Sequence, residues 1–200
     1  MLEAPTRPSP WLLRWQQAAQ PGHSALDLAC GSGRHLRWLA ARGLQVTGVD
    51  RDAAALAPLA GLGSSVELIN ADIEAGPWPL AGRQFNLVLV SNYLWRPLLA
   101  QIVASVAPGG WLIYETFAHG QQSIGRPARA DFLLQPGELL QACAGLRVIG
   151  YEDGFDSAEA RDDAVNGRYV QRVAAVREVA ATGGFPRYPL VTAGKACASQ

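Results

Sequence analysis

The stretch Ala25-Leu26-Asp27-Leu28-Ala29-Cys30-Gly31-Ser32-Gly33-Arg34-His35 decides the fold. Residues 25–30 have the character of a short strand and run into a Gly-Ser-Gly turn. Helical spacing then begins at Arg34, with Leu36, Leu39 and Ala40 on one face and Gly43 as the C-cap. Residues 45–49 form a second strand, closed by Asp50. The glycines permit backbone angles that other residues disfavour and let a ligand approach the chain closely. Free N–H groups at the helix start attract negative charge. An acid at the end of the neighbouring strand suits the hydroxyls of an adenosine ribose, or else caps the helix that follows.

The rest of the chain keeps the alternation. Ser9 before Pro10 suits a helix start, and Trp11, Leu12, Trp15, Ala18 and Ala19 place an amphipathic helix over 10–20. Residues 53–60 read as a helix whose last turn Pro58 disturbs. Strands follow at 65–69 and 85–90, the latter (FNLVLV) apolar enough for a central parallel strand buried on both faces. Residues 97–106 are helical, and Pro108-Gly109-Gly110 turns into a strand at 111–117. A polar loop covers 119–131, a helix 136–144, and strands 147–152 and 168–179. Alternating strands and helices imply an α/β, Rossmann-like, doubly wound and mostly parallel sheet. The last two strands have no clear helix between them, which predicts an antiparallel hairpin at one sheet edge. The chain reads as one domain over 1–200: a lead-in and helix to 22, a cofactor-binding half at 23–118, a substrate-side half at 119–179 and a loose tail at 180–200.

Two cofactor classes use a strand–turn–helix–strand–acid layout. Dinucleotides ask for three glycines in G-x-G-x-x-G, and Leu36 occupies the third position here. S-adenosylmethionine has no phosphate but has an ammonium, a carboxylate and a sulfonium. Asp27, inside the first strand, suits the ammonium, whereas a dinucleotide fold normally has an apolar residue there. Asp27 could also be a buried acid bonded only to the turn.

Residues 27–35 (DLACGSGRH) resemble the first motif of class I S-adenosylmethionine-dependent methyltransferases. Val49-Asp50 resembles the acidic second motif, and Asn70-Ala71-Asp72-Ile73 the third, which meets the adenine. The segments SPWLLRW, SNYLWRPLL, YETF, GRP, DFLLQPGELL and VQRVAAVRE are similar to small bacterial methyltransferases of the TehB-like, tellurite-resistance type. The resemblance implies S-adenosyl-L-methionine as cofactor, held by Asp27, Ala29, Gly31, Gly33, Arg34, Asp50, Arg51, Asp72, Ile73 and Ser91. Arg14 and Arg34 suit the cofactor's carboxylate, because arginine matches planar carboxylates. Tyr93, Glu115 and His119 are the candidates for moving a proton, and Asn92 and Arg126 also fall at or after strand ends on the ligand side. Family members commonly have Asp where this chain has Asn86, and a smaller polar residue or His in place of Trp95, which could reshape the acceptor pocket.

Composition narrows the chemistry. Charged residues make up 17% of the 200, below the roughly 25% of ordinary soluble proteins. Seventeen basic residues balance seventeen acidic ones, so no basic footprint for nucleic acid or an anionic membrane exists. Lys195 is the single lysine, in the last six residues, against sixteen arginines. Chemistry that needs a lysine amine (a P-loop, a Schiff base, a kinase strand lysine) is thereby disfavoured, although a bias toward arginine gives the same count. The three cysteines are widely spaced, without CxxC, which argues against a disulfide framework or a zinc or other metal site and for a reducing cytoplasm. The Pro-rich start is not a secretory signal, and no apolar run reaches 18 residues. The expected activity is in-line methyl transfer to a small-molecule acceptor, with no nucleic-acid or membrane partner. The alternatives are a non-catalytic S-adenosylmethionine-binding protein and a nicotinamide-dependent oxidoreductase.

Overall fold

Strand follows strand along the chain as β1 (Ser24–Leu28), β2 (Gln45–Asp50), β3 (Val66–Asn70), β4 (Phe85–Ser91), β5 (Val106–Phe117), β6 (Arg147–Asp156) and β7 (Arg168–Val176). The computed structural model describes residues 7–157, 167–179 and 186–190. Among them the strands form one sheet in the order β3-β2-β1-β4-β5-β7-β6. Every neighbouring pair is parallel except those of β7, which runs antiparallel to both β5 and β6. The expected doubly wound sheet with an antiparallel hairpin at one edge is therefore present. Its second strand lies inward, between β5 and β6. The chain moves outward from β1 to β3 and then returns to β4 on the other side of β1. That reversal opens a crevice at the carboxyl ends of β1 and β4, the usual ligand position in such sheets.

The helices are α1 (Pro10–Arg14), α2 (Arg34–Ala41), α3 (Ala53–Leu56), α4 (Leu99–Ala104) and α5 (Glu138–Ala142). They bury the two faces of the sheet. Leu87, Leu89 and Ile113 pack with Trp11 and Leu12 of α1, with Trp15 just after it, and with Leu36 and Leu39 of α2. Val88, Val90, Leu112 and Tyr114 alternate with them and pack toward Ile102 of α4 and Leu139 of α5. The run at 85–90 is apolar because both of its faces are covered.

Several boundaries differ from the sequence expectation for identifiable reasons. The helix expected over 10–20 is two short pieces, α1 and a 3-10 turn at Gln16–Ala18, joined at the buried Trp15. Pro58 falls in a 3-10 turn, Ala57–Leu59, that finishes α3, as its missing N–H requires. β5 begins at Val106 instead of 111, because Pro108-Gly109-Gly110 forms an irregularity within the strand rather than a turn before it. A Cβ on Gly110 would meet three carbonyl oxygens at 2.9–3.0 Å, so only glycine fits there. β7 ends at Val176, and the Arg177 guanidinium bonds back to the carbonyls of Val103 and Val106. In the segment read as a tail, Tyr188 sets its ring edge-on to Trp111 at 5.8 Å, and the rest of 180–200 apart from 186–190 lies outside the described residues. Among the described residues no helix is long and apolar enough to cross a membrane.

Candidate active site

The turn after β1 has three consecutive demands on the backbone. Ala29, Gly31 and Gly33 have φ of 54°, 53° and 75°. Gly33 also lies so close to Leu59 that a Cβ would come within 2.7 Å of it. The Gly31 N–H donates to Asp50 Oδ2 at 2.7 Å, and the Asp52 N–H donates to Asp50 Oδ1 at 2.9 Å. Asp52, not Asp50, caps α3, accepting from Ala54 and Ala55. Asp50 is thus held at the crevice by two backbone donors and is not spent on a helix end.

Leu36 stands where a dinucleotide motif would have its third glycine. Room for it comes from the neighbouring strand: a Cβ on Gly48 of β2 would meet Leu36 Cδ1 at 2.4 Å and Cys30 Sγ at 3.1 Å. The close helix–sheet approach is therefore provided by Gly48. A glycine inside a strand was the available signal.

Asp27 is 1% exposed, and its carboxyl accepts the Leu36 N–H. Its Oδ2 has no hydrogen-bond partner. Burial pushes the carboxyl up to about 7, against the pull of the Leu36 N–H and of the nearby Arg34 guanidinium. A buried carboxylate oxygen left unpaired is uncommon and calls for an explanation. His35, next along α2, is buried and accepts the Ser9 N–H on Nε2. Burial, with Arg34 beside it, lowers its pKa to about 3, so it stays a neutral core residue.

At the ends of β2 and β3, Asn70 Nδ2 donates to the carbonyls of Asp50 and Arg51. Asp72 accepts the N–H groups of Glu74 and Ala75, which hold its carboxyl below its ordinary range. A cavity of about 190 Å³ opens here, walled by Ala29, Asp50, Arg51, Ala71, Asp72, Ile73, Glu74 and Tyr93. Five of the residues named from sequence, Ala29, Asp50, Arg51, Asp72 and Ile73, thus line one space.

A second cavity of about 320 Å³ shares Arg51, Glu74 and Tyr93 with the first. Its other walls are Asn92, Leu94, Thr116, Phe117, Pro127 and Phe132. Of these, Leu94, Thr116, Phe117, Pro127 and Phe132 were not named as site residues, although each lies in a segment similar to the TehB-like group. Burial and the adjacent Glu74 push the Tyr93 phenol above its ordinary range, so it keeps its proton. Asn92 adopts φ 56° at the end of β4.

Other candidates fall elsewhere. Arg34 donates to Ser91 Oγ at 3.1 Å, and Ser91 Oγ donates to Glu115 Oε1 at 3.2 Å. Glu115 is not a wall residue of either cavity. It is 1% exposed and paired with Arg172 and Arg168 at 3.3 and 3.5 Å. His119 is exposed and hydrogen-bonds through its backbone N–H to Leu134. Arg126 is exposed beyond the second cavity. Arg14 pairs with Glu152 at 2.5 Å over the rings of Trp11 and Trp15 and lines neither cavity. Trp95 packs on the core instead of lining the second cavity. Asn86 accepts from the N–H and hydroxyl of Ser24 and ties the base of β4 to β1, a structural use. No cluster of ligand side chains that could hold a metal occurs among the described residues.

Residues 25–110 match the family described as Methyltransferase domain. The trans-aconitate 2-methyltransferase of Paracidovorax citrulli is 30% identical over 76% of this chain and 61% of its own. The malonyl-[acyl-carrier protein] O-methyltransferase of Enterobacter lignolyticus is 31% identical over 71% of this chain and 52% of its own. The chain thus spans between half and two thirds of the length of these relatives. Among solved structures, TehB of Haemophilus influenzae superposes with a TM-score of 0.61 at 18% identity, covering 78% of this chain and 58% of that one. An S-adenosylmethionine dependent methyltransferase of Mesorhizobium loti gives 0.62 at 18% identity, over 82% and 97%. Residues 25–110 of this chain thus match the methyltransferase-domain family, and the fold of the chain is similar to those of TehB and of the Mesorhizobium loti methyltransferase.

Proposed function

We propose that the chain is an S-adenosylmethionine-dependent methyltransferase acting on a small-molecule acceptor. The observation that carries this reading is the pair of adjoining cavities with three shared walls: one ringed by the motif acids, the other by aromatic and apolar side chains. The residues fit the cofactor. The unpaired oxygen of Asp27 suits an ammonium, and a buried anion of this kind is satisfied by a cation. An ionised carboxylate offers about four acceptor positions. Asp50 uses two on backbone N–H groups, which leaves two for a pair of ribose hydroxyls. Asp72, with Ile73 beside it, stands to the adenine edge in the same way, and Arg34 with Ser91 faces a carboxylate. When bound, the cofactor supplies a methyl group made electrophilic by a sulfonium.

What remains for the protein is orientation. Holding the reacting atoms about 3–3.5 Å apart in line supplies much of a transfer rate. Tyr93 stands between the two spaces as a hydrogen-bond donor, since its phenol stays protonated. Glu74 beside it is the carboxylate placed to accept a proton from the acceptor when one must leave. Phe117, Phe132 and Leu94 exclude water. The balanced charge favours a small acceptor over nucleic acid, and the two relatives are named for acceptors that are carboxylic acids. The setting is the cytoplasm.

Thermal shift with S-adenosylmethionine, S-adenosylhomocysteine, NAD and NADP in parallel tests the reading. Stabilisation by the first two alone is expected, and none by either of them overturns it. A screen of small carboxylic acids, trans-aconitate included, with labelled cofactor then identifies the acceptor. A cofactor-binding protein that methylates nothing across a broad screen would be a binding module.

A further inference from the structure

One row of charges runs across the sheet at the end of β5. Ser91, Glu115, Arg172 and Glu152 are register partners on β4, β5, β7 and β6. The hydrogen bonds and ion pairs follow that register. Ser91 Oγ donates to Glu115 Oε1 at 3.2 Å, Arg172 Nε lies 3.3 Å from Glu115 Oε2, and Arg172 donates to Glu152 at 3.2 Å. Arg172 also donates to Asp156, and Arg168 reaches Glu115 at 3.5 Å. At the other end of the row, Arg34 in the first turn of α2 donates to Ser91 Oγ at 3.1 Å.

The proton bookkeeping at Ser91 gives the row a direction. A serine hydroxyl has one hydrogen and two lone pairs. Its hydrogen is committed to Glu115, so its lone pairs are turned toward Arg34. Glu115 is 1% exposed and paired with two guanidiniums, which fix its place as an acceptor. Arg34 is a neighbour of Asp27 whose charge lowers that acid's pKa, so it stands at the same end of the crevice.

We propose that Glu115 is a positioning residue. Through Ser91 it sets the rotamer of Arg34, and so the place where the carboxylate of the cofactor's amino-acid end is received. This rests on the cofactor reading above. Arg172 holds Glu115 in place through their ion pair at 3.3 Å. Glu115 itself touches neither cofactor nor acceptor.

The test separates the amino-acid end from the nucleoside. Affinities for S-adenosylhomocysteine and for 5′-methylthioadenosine, which lacks that end, are measured by calorimetry for the unaltered protein, Glu115→Gln and Ser91→Ala. Ser91 is half-buried, so its alanine variant keeps the test open if Glu115→Gln does not fold. Each variant is expected to bind S-adenosylhomocysteine about tenfold more weakly and methylthioadenosine unchanged. The double variant should lose no more than either single one, as members of one chain do. Unchanged affinity for S-adenosylhomocysteine, or equal losses for both ligands, overturns the proposal and leaves the cofactor reading standing. Failure of the unaltered protein to bind either ligand overturns both.

Discussion

The two halves of the sheet hold their acids in different ways. On the β1–β2–β3 side, carboxylates are held mainly by backbone N–H groups. Asp27 accepts from Leu36, Asp50 from Gly31 and Asp52, Asp52 from Ala54 and Ala55, and Asp72 from Glu74 and Ala75. Glu67, bridged to Arg83, is the exception. On the β5–β7–β6 side, guanidiniums do the holding. Glu115, Glu152 and Asp156 gather on Arg172, and Glu178 pairs with Arg147. A backbone donor fixes a carboxylate without cancelling its charge, and it leaves lone pairs open. A guanidinium fork cancels the charge and uses the lone pairs. The first half therefore presents negative acceptors to a ligand, while the second pairs its acids with its own arginines. The arginine-rich composition fits that division, because the fork serves structure and the proposed cofactor brings its own cation.

The most damaging way to break this comparison is Arg172→Met. It leaves Glu115 and Asp156, 1% and 13% exposed at the side chain, without their shared counter-ion. Removing one partner of a buried ion pair costs about 3–5 kcal/mol. For a chain of this size that lowers Tm by roughly 10 °C. A Tm within about 2 °C of the unaltered protein would show that the frame does not depend on the pairing.

Asp27 tests the other half. Its folded pKa, about 7, lies above its ordinary 3.8. Between those values the folded chain binds a proton that the unfolded chain has lost, so stability falls as pH rises from about 4 to about 7. The loss is on the order of 4 kcal/mol when complete. Asp27→Asn removes it. The variant should match the unaltered protein near pH 4, exceed it in denaturant midpoint at pH 8, and lose affinity for S-adenosylhomocysteine. Parallel stability curves for the two proteins across this range would sink the claim that the site stores an uncompensated acid.

Asp50→Ala sharpens the same point from the binding side. It removes the acceptor for two ligand hydroxyls and leaves the Gly31 N–H unanswered. Affinity for S-adenosylhomocysteine should fall about a hundredfold, since a hydrogen bond to a charged group is worth about 1.5–3 kcal/mol. Unchanged affinity in calorimetry refutes the ribose role.

How much of this was legible beforehand follows from the range of each interaction. The turn at 29–33, the acid at 50 and the mostly parallel, doubly wound sheet are local or follow from alternation, and the sequence reading reaches them. Glu115 looked like a pocket residue because its position at a strand end is visible. Its partners Arg168 and Arg172 come more than 50 residues later, and only the antiparallel register of β7 brings them across. Gly48 is the converse case. Its place under Leu36 depends on how α2 lies over β2, which no motif within either element states. The second cavity's walls come from six separate stretches of sequence, so residue type alone could not gather them.

The smallest expected effect is at Ala29, the one alanine with positive φ in the turn. A left-handed conformation costs a residue with a Cβ about 1–2 kcal/mol. Ala29→Gly relieves that strain but adds freedom to the unfolded chain, which takes back about 0.5–1 kcal/mol. The net gain is about 0.5 kcal/mol, or a Tm higher by ~1–2 °C. Ala29 also lines the first cavity, so removing its methyl widens the space beside Asp50. Affinity for S-adenosylhomocysteine separates two uses of that methyl. If the methyl only bears strain, the variant is slightly more stable and binds as well as before. If it packs against the ligand, stability rises while affinity drops severalfold. A fall in Tm would refute the strain argument and leave the backbone-held side of the sheet without its one strained alanine.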